Sequence, residues 1–143
     1  QLISTTEAWA QLSVAGPNAR RLLGRVVDGD VSDAAFPYMA CGAVTVLGGL
    51  RARLFRISFS GELAFEVAVP ARHGDRLMRA LMERGADLGA TPYGTEALGV
   101  LRVEKGHVAG NELNGQSTAL HMGLGRMVSR KKDAIGVALS QRE

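Results

Sequence analysis

Residues Arg53 to Pro70 read Arg-Leu-Phe-Arg-Ile-Ser-Phe-Ser-Gly-Glu-Leu-Ala-Phe-Glu-Val-Ala-Val-Pro, and they constrain the fold more than any other stretch. Phe55, Ile57 and Phe59 alternate before Ser60-Gly61-Glu62, and Leu63, Phe65, Val67 and Val69 alternate after it. A period of two places such residues on one face of a half-buried strand, so the pattern predicts a hairpin. A two-residue loop, Ser60-Gly61, sets Ile57 opposite Ala64 and Phe55 opposite Glu66. A three-residue loop sets Phe59 opposite Leu63, Ile57 opposite Phe65 and Phe55 opposite Val67. The second register gathers the large apolar side chains on one face and pairs Arg56 with Glu66 on the other, so it is the one expected. Three-residue hairpins usually place Gly third, whereas Gly61 is second. In this register Glu62 leaves the ladder and stands at the tip, free to meet a ligand.

Trp9 to Val14 alternates and reads as a strand. Pro17 is placed to open a helix, and Leu22, Leu23, Val26 and Val27 continue at helical spacing to Asp28-Gly29. Ala43 to Leu47 reads as a further strand, ended by Gly48-Gly49. Leu77, Met78, Leu81 and Met82 form a helical stripe closed by Gly85. Thr95 is an N-cap candidate for a third helix, on which Ala97, Leu98 and Leu101 are expected to face inward up to Lys105-Gly106. Beyond Gly106 the chain becomes Gly-rich, with an apolar pair at Met127-Val128 and a basic run at Arg130-Lys131-Lys132. This order predicts an α+β fold, a mixed or antiparallel sheet with helices on one face.

Composition removes several functional classes. Apolar residues make up 46% of the 143, enough for a core and too many for disorder. A net charge of +3 and an aromatic content of 5% argue against a nucleic-acid-binding surface. The single cysteine, Cys41, excludes an intrachain disulfide and fits a reducing, cytoplasmic compartment. No apolar run reaches the roughly 18 residues of a membrane span, and no signal-peptide pattern is present. The chain opens at Gln1 in what reads as mid-domain sequence, so a fragment of a longer polypeptide is expected.

His73, His107 and His121 lack metal-ligand spacing, so no metal site is expected. Ser58-Phe59-Ser60-Gly61 lacks the first Gly of a nucleophile elbow and joins two strands rather than a strand and a helix. Gly123-Leu124-Gly125 is half of a dinucleotide fingerprint with no strand before it. Arg102 flanks the apolar stripe of its helix and requires a carboxylate, a carbonyl or a ligand. One reading pairs it internally with Glu62 or Glu66. The other sets Glu62 and Arg102 around a flat heterocycle that offers adjacent N–H donors and carries a carboxylate tail.

Ser60-Gly61-Glu62-Leu63 with its following Glu-Val strand, then Leu101-Arg102-Val103-Glu104-Lys105-Gly106, then Gly110-Asn111-Glu112, resembles the folate-binding aminomethyltransferase family. That family includes the glycine cleavage T-protein and the carboxy-terminal regions of sarcosine- and dimethylglycine-oxidising enzymes. Ala15-Gly16-Pro17-Asn18-Ala19 fits it too. The stretch from Glu104 through Gly115-Gln116 and Gly123-Leu124-Gly125 to Lys131-Lys132-Asp133-Ala134-Ile135-Gly136 is most similar to the α subunits of heterotetrameric sarcosine oxidases.

The resemblance implies a tetrahydrofolate site. The glutamate matching Glu62 would bond the pterin, and the arginine matching Arg102 would contribute to the pocket. Phe59 and Ser60 would sit beside the ring, where the family carries Tyr-Thr. Arg51, Arg53 or Arg130 would meet the glutamate tail. Gly110-Asn111-Glu112 replaces the family's Gly-Asn-Asp. The family's essential aspartate lies upstream of the Ala-Gly-Pro segment, so residues 1–143 correspond to the central part of a folate-binding domain that is not expected to act alone. The resemblance implies that the parent demethylates sarcosine oxidatively to glycine and passes the one-carbon unit to tetrahydrofolate, giving 5,10-methylenetetrahydrofolate. FAD, FMN and NAD would be held elsewhere in the complex, and the other oxidase subunits would be its partners. Two alternatives stand beside this: an aminomethyltransferase of the glycine cleavage type, and a docking domain that has lost folate.

Overall fold

The computed structural model describes residues 1–129 and 131–139. The chain divides into two compact units, Gln1–Lys105 and Gly106–Glu143. The first unit is built on four strands: β1 (Trp9–Ala15), β2 (Cys41–Val46), β3 (Leu50–Phe55) and β4 (Ala64–Pro70). They form an antiparallel sheet in the order β1-β4-β3-β2. Three helices accompany it: α1 (Ala19–Leu23), α2 (Gly74–Gly85) and α3 (Thr95–Lys105). The α+β reading from sequence therefore holds, and the sheet is wholly antiparallel.

The core lies between one face of the sheet and the first two helices. Val46, Leu54, Phe65, Val67 and Val69 meet Leu22, Leu23 and Val26 from α1 and the turn after it, and Leu77 and Leu81 from α2. Each side chain of this kind contributes about 1.5–3 kcal/mol on full burial. The two helices approach closely because Gly85 has no side chain: a Cβ there would lie 3.1 Å from Leu22 Cδ2. The first helix is shorter than its apolar spacing implied. It ends at Leu23, and Val26 and Val27 enter hydrogen-bonded turns onto Leu23 O at 2.9 and 2.8 Å. The following residues then run beside β2: Asp28 N–H donates to Thr45 O at 2.8 Å and Leu47 N–H to Val26 O at 2.9 Å.

The hairpin differs from expectation in its register. Arg53 faces Ala68, Leu54 faces Val67 and Phe55 faces Glu66, which is the pairing set by the two-residue loop. The large aromatics suggested the other choice, but Ala52 and Leu54 are the buried residues of β3. A one-residue slip would turn them out of the core. Pairing with β4 also stops at Phe55. Arg56 N–H donates instead to Ala40 O at 2.8 Å, and Arg56 O accepts from Met39 N–H at 2.9 Å. The expected Arg56–Glu66 pair is absent: Arg56 Nη1 donates to Ala64 O at 3.0 Å, and its guanidinium lies 5.0 Å over the Phe65 ring. Glu66 accepts from the Gln11 side-chain amide. On the outer face of the sheet, the Arg53 guanidinium stacks 4.0 Å over the Trp9 indole.

The second unit contains short 3₁₀ turns at Gly110–Glu112 and Gly125–Met127 and the helix α4 (Ile135–Leu139). Ala109 N–H donates to Glu112 Oε2 at 3.0 Å, fixing the start of the first turn. Leu120, Met127 and Ile135 are exposed. Arg130 lies outside the described residues.

Candidate functional site

The segment 56–63 forms an irregular tip rather than a tight hairpin, and three contacts hold it. Gly61 N–H donates to Ser58 Oγ at 2.9 Å, closing the turn. Gly16 N–H, just past β1, donates to Leu63 O at 2.9 Å. Gly61, at φ +89°, lies against the stem of Lys105 so closely that an added Cβ would sit 2.6 Å from Lys105 Cγ. Only glycine combines that backbone angle with that approach. The tip is thereby fixed between the end of β1 and the last turn of α3.

A cavity of about 700 Å³ opens beside it, within the usual range for small-molecule sites. β1 forms one wall from Gln11 to Ala15. Met78, Leu81 and Met82 of α2 contribute an apolar floor, Leu98 and Leu101 of α3 another wall, and Ser60 and Glu62 the polar end. Ser60 is only 7% exposed, and its Oγ has no hydrogen-bond partner among the described residues. A buried hydroxyl left this way costs about 1–3 kcal/mol. Glu62 is exposed and makes no hydrogen bond or ion pair among the described residues.

Of the four residues singled out from sequence, Ser60 and Glu62 line the cavity together, whereas Phe59 and Arg102 are not among its lining residues. Phe59 is 37% exposed. Arg102 is half-buried, on the α3 turn between Leu101 and Lys105, the residue that packs on Gly61. Leu98 faces the cavity as expected, but Ala97 is exposed. Arg51 and Arg53 are exposed on β3 and do not line it either. Sequence reasoning missed Tyr93 and the wall made by β1. The Thr91-Pro92-Tyr93-Gly94 turn was visible, but nothing local showed that it borders a cavity.

The shifted carboxylates have structural partners elsewhere. Asp28 sits below the usual carboxylate range chiefly because Gly48 and Gly49 donate backbone N–H bonds to it. Hydrogen bonds from Arg25 and Arg79 likewise lower Asp87 and Asp75. Among the described residues no group of three or more His, Cys, Asp or Glu is placed to hold a metal ion, and no helix is long and apolar enough to cross a membrane.

Fold and cavity together define an α+β domain that offers a ligand-sized, mostly apolar pocket with a carboxylate and a buried hydroxyl at one end. Residues 1–132 match the GCVT N-terminal domain, and the chain belongs to that family. It is 54% identical over 145 residues to the sarcosine oxidase subunit alpha of Rhizobium meliloti, covering 100% of this chain and 15% of that protein. It is 36% identical over 107 residues to the mitochondrial sarcosine dehydrogenase of Homo sapiens, covering 75% of this chain and 12% of that one. The aminomethyltransferase of Halothermothrix orenii is 30% identical over 133 residues, covering 92% of this chain and 36% of its own length. The chain thus spans about 15% of the length of its sarcosine oxidase relatives.

Proposed function

We infer that this chain is the central part of a folate-binding domain in the α subunit of a sarcosine oxidase. The observation that carries the reading is the joint position of Glu62 and Ser60 at the polar end of the 700 Å³ cavity, one with open acceptors and the other with a buried, unpartnered hydroxyl. Pterins present adjacent N–H donors beside a carbonyl, which suits a carboxylate next to a hydroxyl. The apolar walls from α2 and α3 suit the flat ring and exclude water around it. Arg102, on the same last stretch of α3 as Lys105, is assigned to the folate pocket as a further source of positive charge. When bound, tetrahydrofolate supplies the nitrogen nucleophiles that accept a one-carbon unit.

The 54% identity to a sarcosine oxidase subunit alpha, against 30% to an aminomethyltransferase, favours the oxidase parent. In that parent, sarcosine is demethylated to glycine, FAD, FMN and NAD are bound outside this chain, and the other oxidase subunits are the partners. The exposed lone thiol of Cys41 fits a cytoplasmic setting.

Glu62→Gln keeps the shape and removes the charged acceptor. Titration calorimetry of the parent protein with tetrahydrofolate should show affinity weakened by about tenfold or more, the value of a charge-assisted bond. Unchanged affinity would overturn the assignment.

A further inference from the structure

Glu62, the only charged residue among those described in the cavity wall, is placed by its neighbours rather than by bonds of its own. Pairing between β3 and β4 ends at Phe55 and Glu66, so no bonds of that ladder reach the tip. Gly61 and Glu62 take part in no backbone-to-backbone hydrogen bond among the described residues. On one side Leu63 O accepts from Gly16 N–H, and within the turn Gly61 N–H donates to Ser58 Oγ. The remaining side is held by a side chain, that of Lys105.

Lys105 is the last residue of α3. Gly106 follows at φ +75°, the left-handed turn that commonly closes a helix. The Lys105 side chain runs across Gly61: its Cβ and Cγ would lie 3.0 and 2.6 Å from a Cβ built on that glycine, and its Cδ lies against the same point. Three successive carbons of the stem thus cover the face that a side chain at 61 would occupy. Lys105 is otherwise exposed and forms no ion pair among the described residues, with Glu62 or with any other carboxylate. A lysine that lays its methylenes on the protein and leaves its ammonium in water works as an apolar side chain with a solvated end. An exposed, unpaired ammonium contributes little, whereas the stem keeps water from Gly61 and bars the tip from swinging towards α3.

We propose that Lys105 is a positioning residue for the polar end of the cavity, acting through its stem and not its charge. By seating Gly61 it fixes the residues on either side, Ser60 with its buried hydroxyl and Glu62 with its open carboxylate. The order of the tip is then established before a ligand arrives, and the ligand does not have to supply it. The proposal rests on the folate reading for the identity of the ligand, while the seat itself exists without one.

Two substitutions in the full-length parent separate stem from charge. Lys105→Met keeps the unbranched stem and removes the ammonium, and Lys105→Ala removes both while keeping a good helix former. In titration calorimetry Lys105→Ala should bind tetrahydrofolate about tenfold more weakly, and Lys105→Met should stay within about twofold of the unaltered protein. Amide exchange without ligand should be faster in Lys105→Ala at Gly61 and Gly16, whose amides bond Ser58 Oγ and Leu63 O. It should be restored in Lys105→Met, and unchanged in both at the core residues Leu54 and Val67. Equal affinities in all three proteins overturn the proposal, and so does equal weakening in both variants, which would make the charge the active part. Faster exchange at Leu54 and Val67 also overturns it, since the loss would then be one of general stability. If the unaltered parent binds no tetrahydrofolate, the folate reading fails instead, and exchange at Gly61 and Gly16 still decides whether Lys105 seats the tip.

Discussion

Ser60 combines burial with an unanswered hydroxyl, and this makes its two possible roles separable. A structural serine lowers stability when truncated. A serine that waits for a ligand does not, because Ser60→Ala removes an unsatisfied polar atom and should leave the unliganded protein as stable or up to about 1 kcal/mol more stable. The same variant should bind tetrahydrofolate several-fold more weakly. Thermal melts and titration calorimetry on one sample check both halves. Glu62 was legible from sequence because it follows Gly61 at a break in alternation. Ser60 was named only through its place in a family pattern, since burial of a hydroxyl leaves no trace in periodicity. Arg102 was legible as the edge of an apolar helix face, but whether it borders the cavity depends on how α3 is seated, which no local pattern encodes.

At the scale of elements, the strands and helices were visible because alternation and the 3.6-residue stripe report burial directly. The β3–β4 register was not. Phe55, Ile57 and Phe59 carry the larger apolar bulk, and the smaller pair Ala52 and Leu54 carries the core. Which set turns inward was decided by packing against α1 and α2, and by Arg56 leaving the sheet for Ala40 and Ala64. The register predicts that Leu54→Ala costs about 2–5 kcal/mol, as for other fully buried leucines. Phe55→Ala, on a half-buried outer position, should cost clearly less. Urea denaturation of the two variants distinguishes them, and the reverse order would restore the three-residue loop. The β2–β3 turn adds a pH dependence. Asp28 has a depressed pKa in the folded state because the Gly48 and Gly49 amides hold its carboxylate. Its contribution is present above the unfolded value of about 4 and disappears as pH falls through the folded value. Asp28→Asn should therefore lower Tm at neutral pH, and its difference from the unaltered protein should shrink steadily in acid.

Across the whole molecule, every buried apolar residue so far described falls between Ala19 and Leu81, inside the unit Gln1–Lys105. The unit Gly106–Glu143 contributes none among the described residues. Stability is expected to follow that division, since local opening is governed by buried contacts. Brief trypsin treatment of the chain should cut at Lys105, Arg126, Lys131 and Lys132 well before Arg51 and Arg53, which lie within a paired strand. Early cleavage in β3 would contradict it. Mass spectrometry of the first fragments gives the order.

Trp9, the sole tryptophan of the chain, opens β1 under the Arg53 guanidinium. Its indole emission is consequently a built-in optical probe of one margin of the sheet. A change in colour or intensity would register when that stack of cation on ring is disturbed, and no label need be attached.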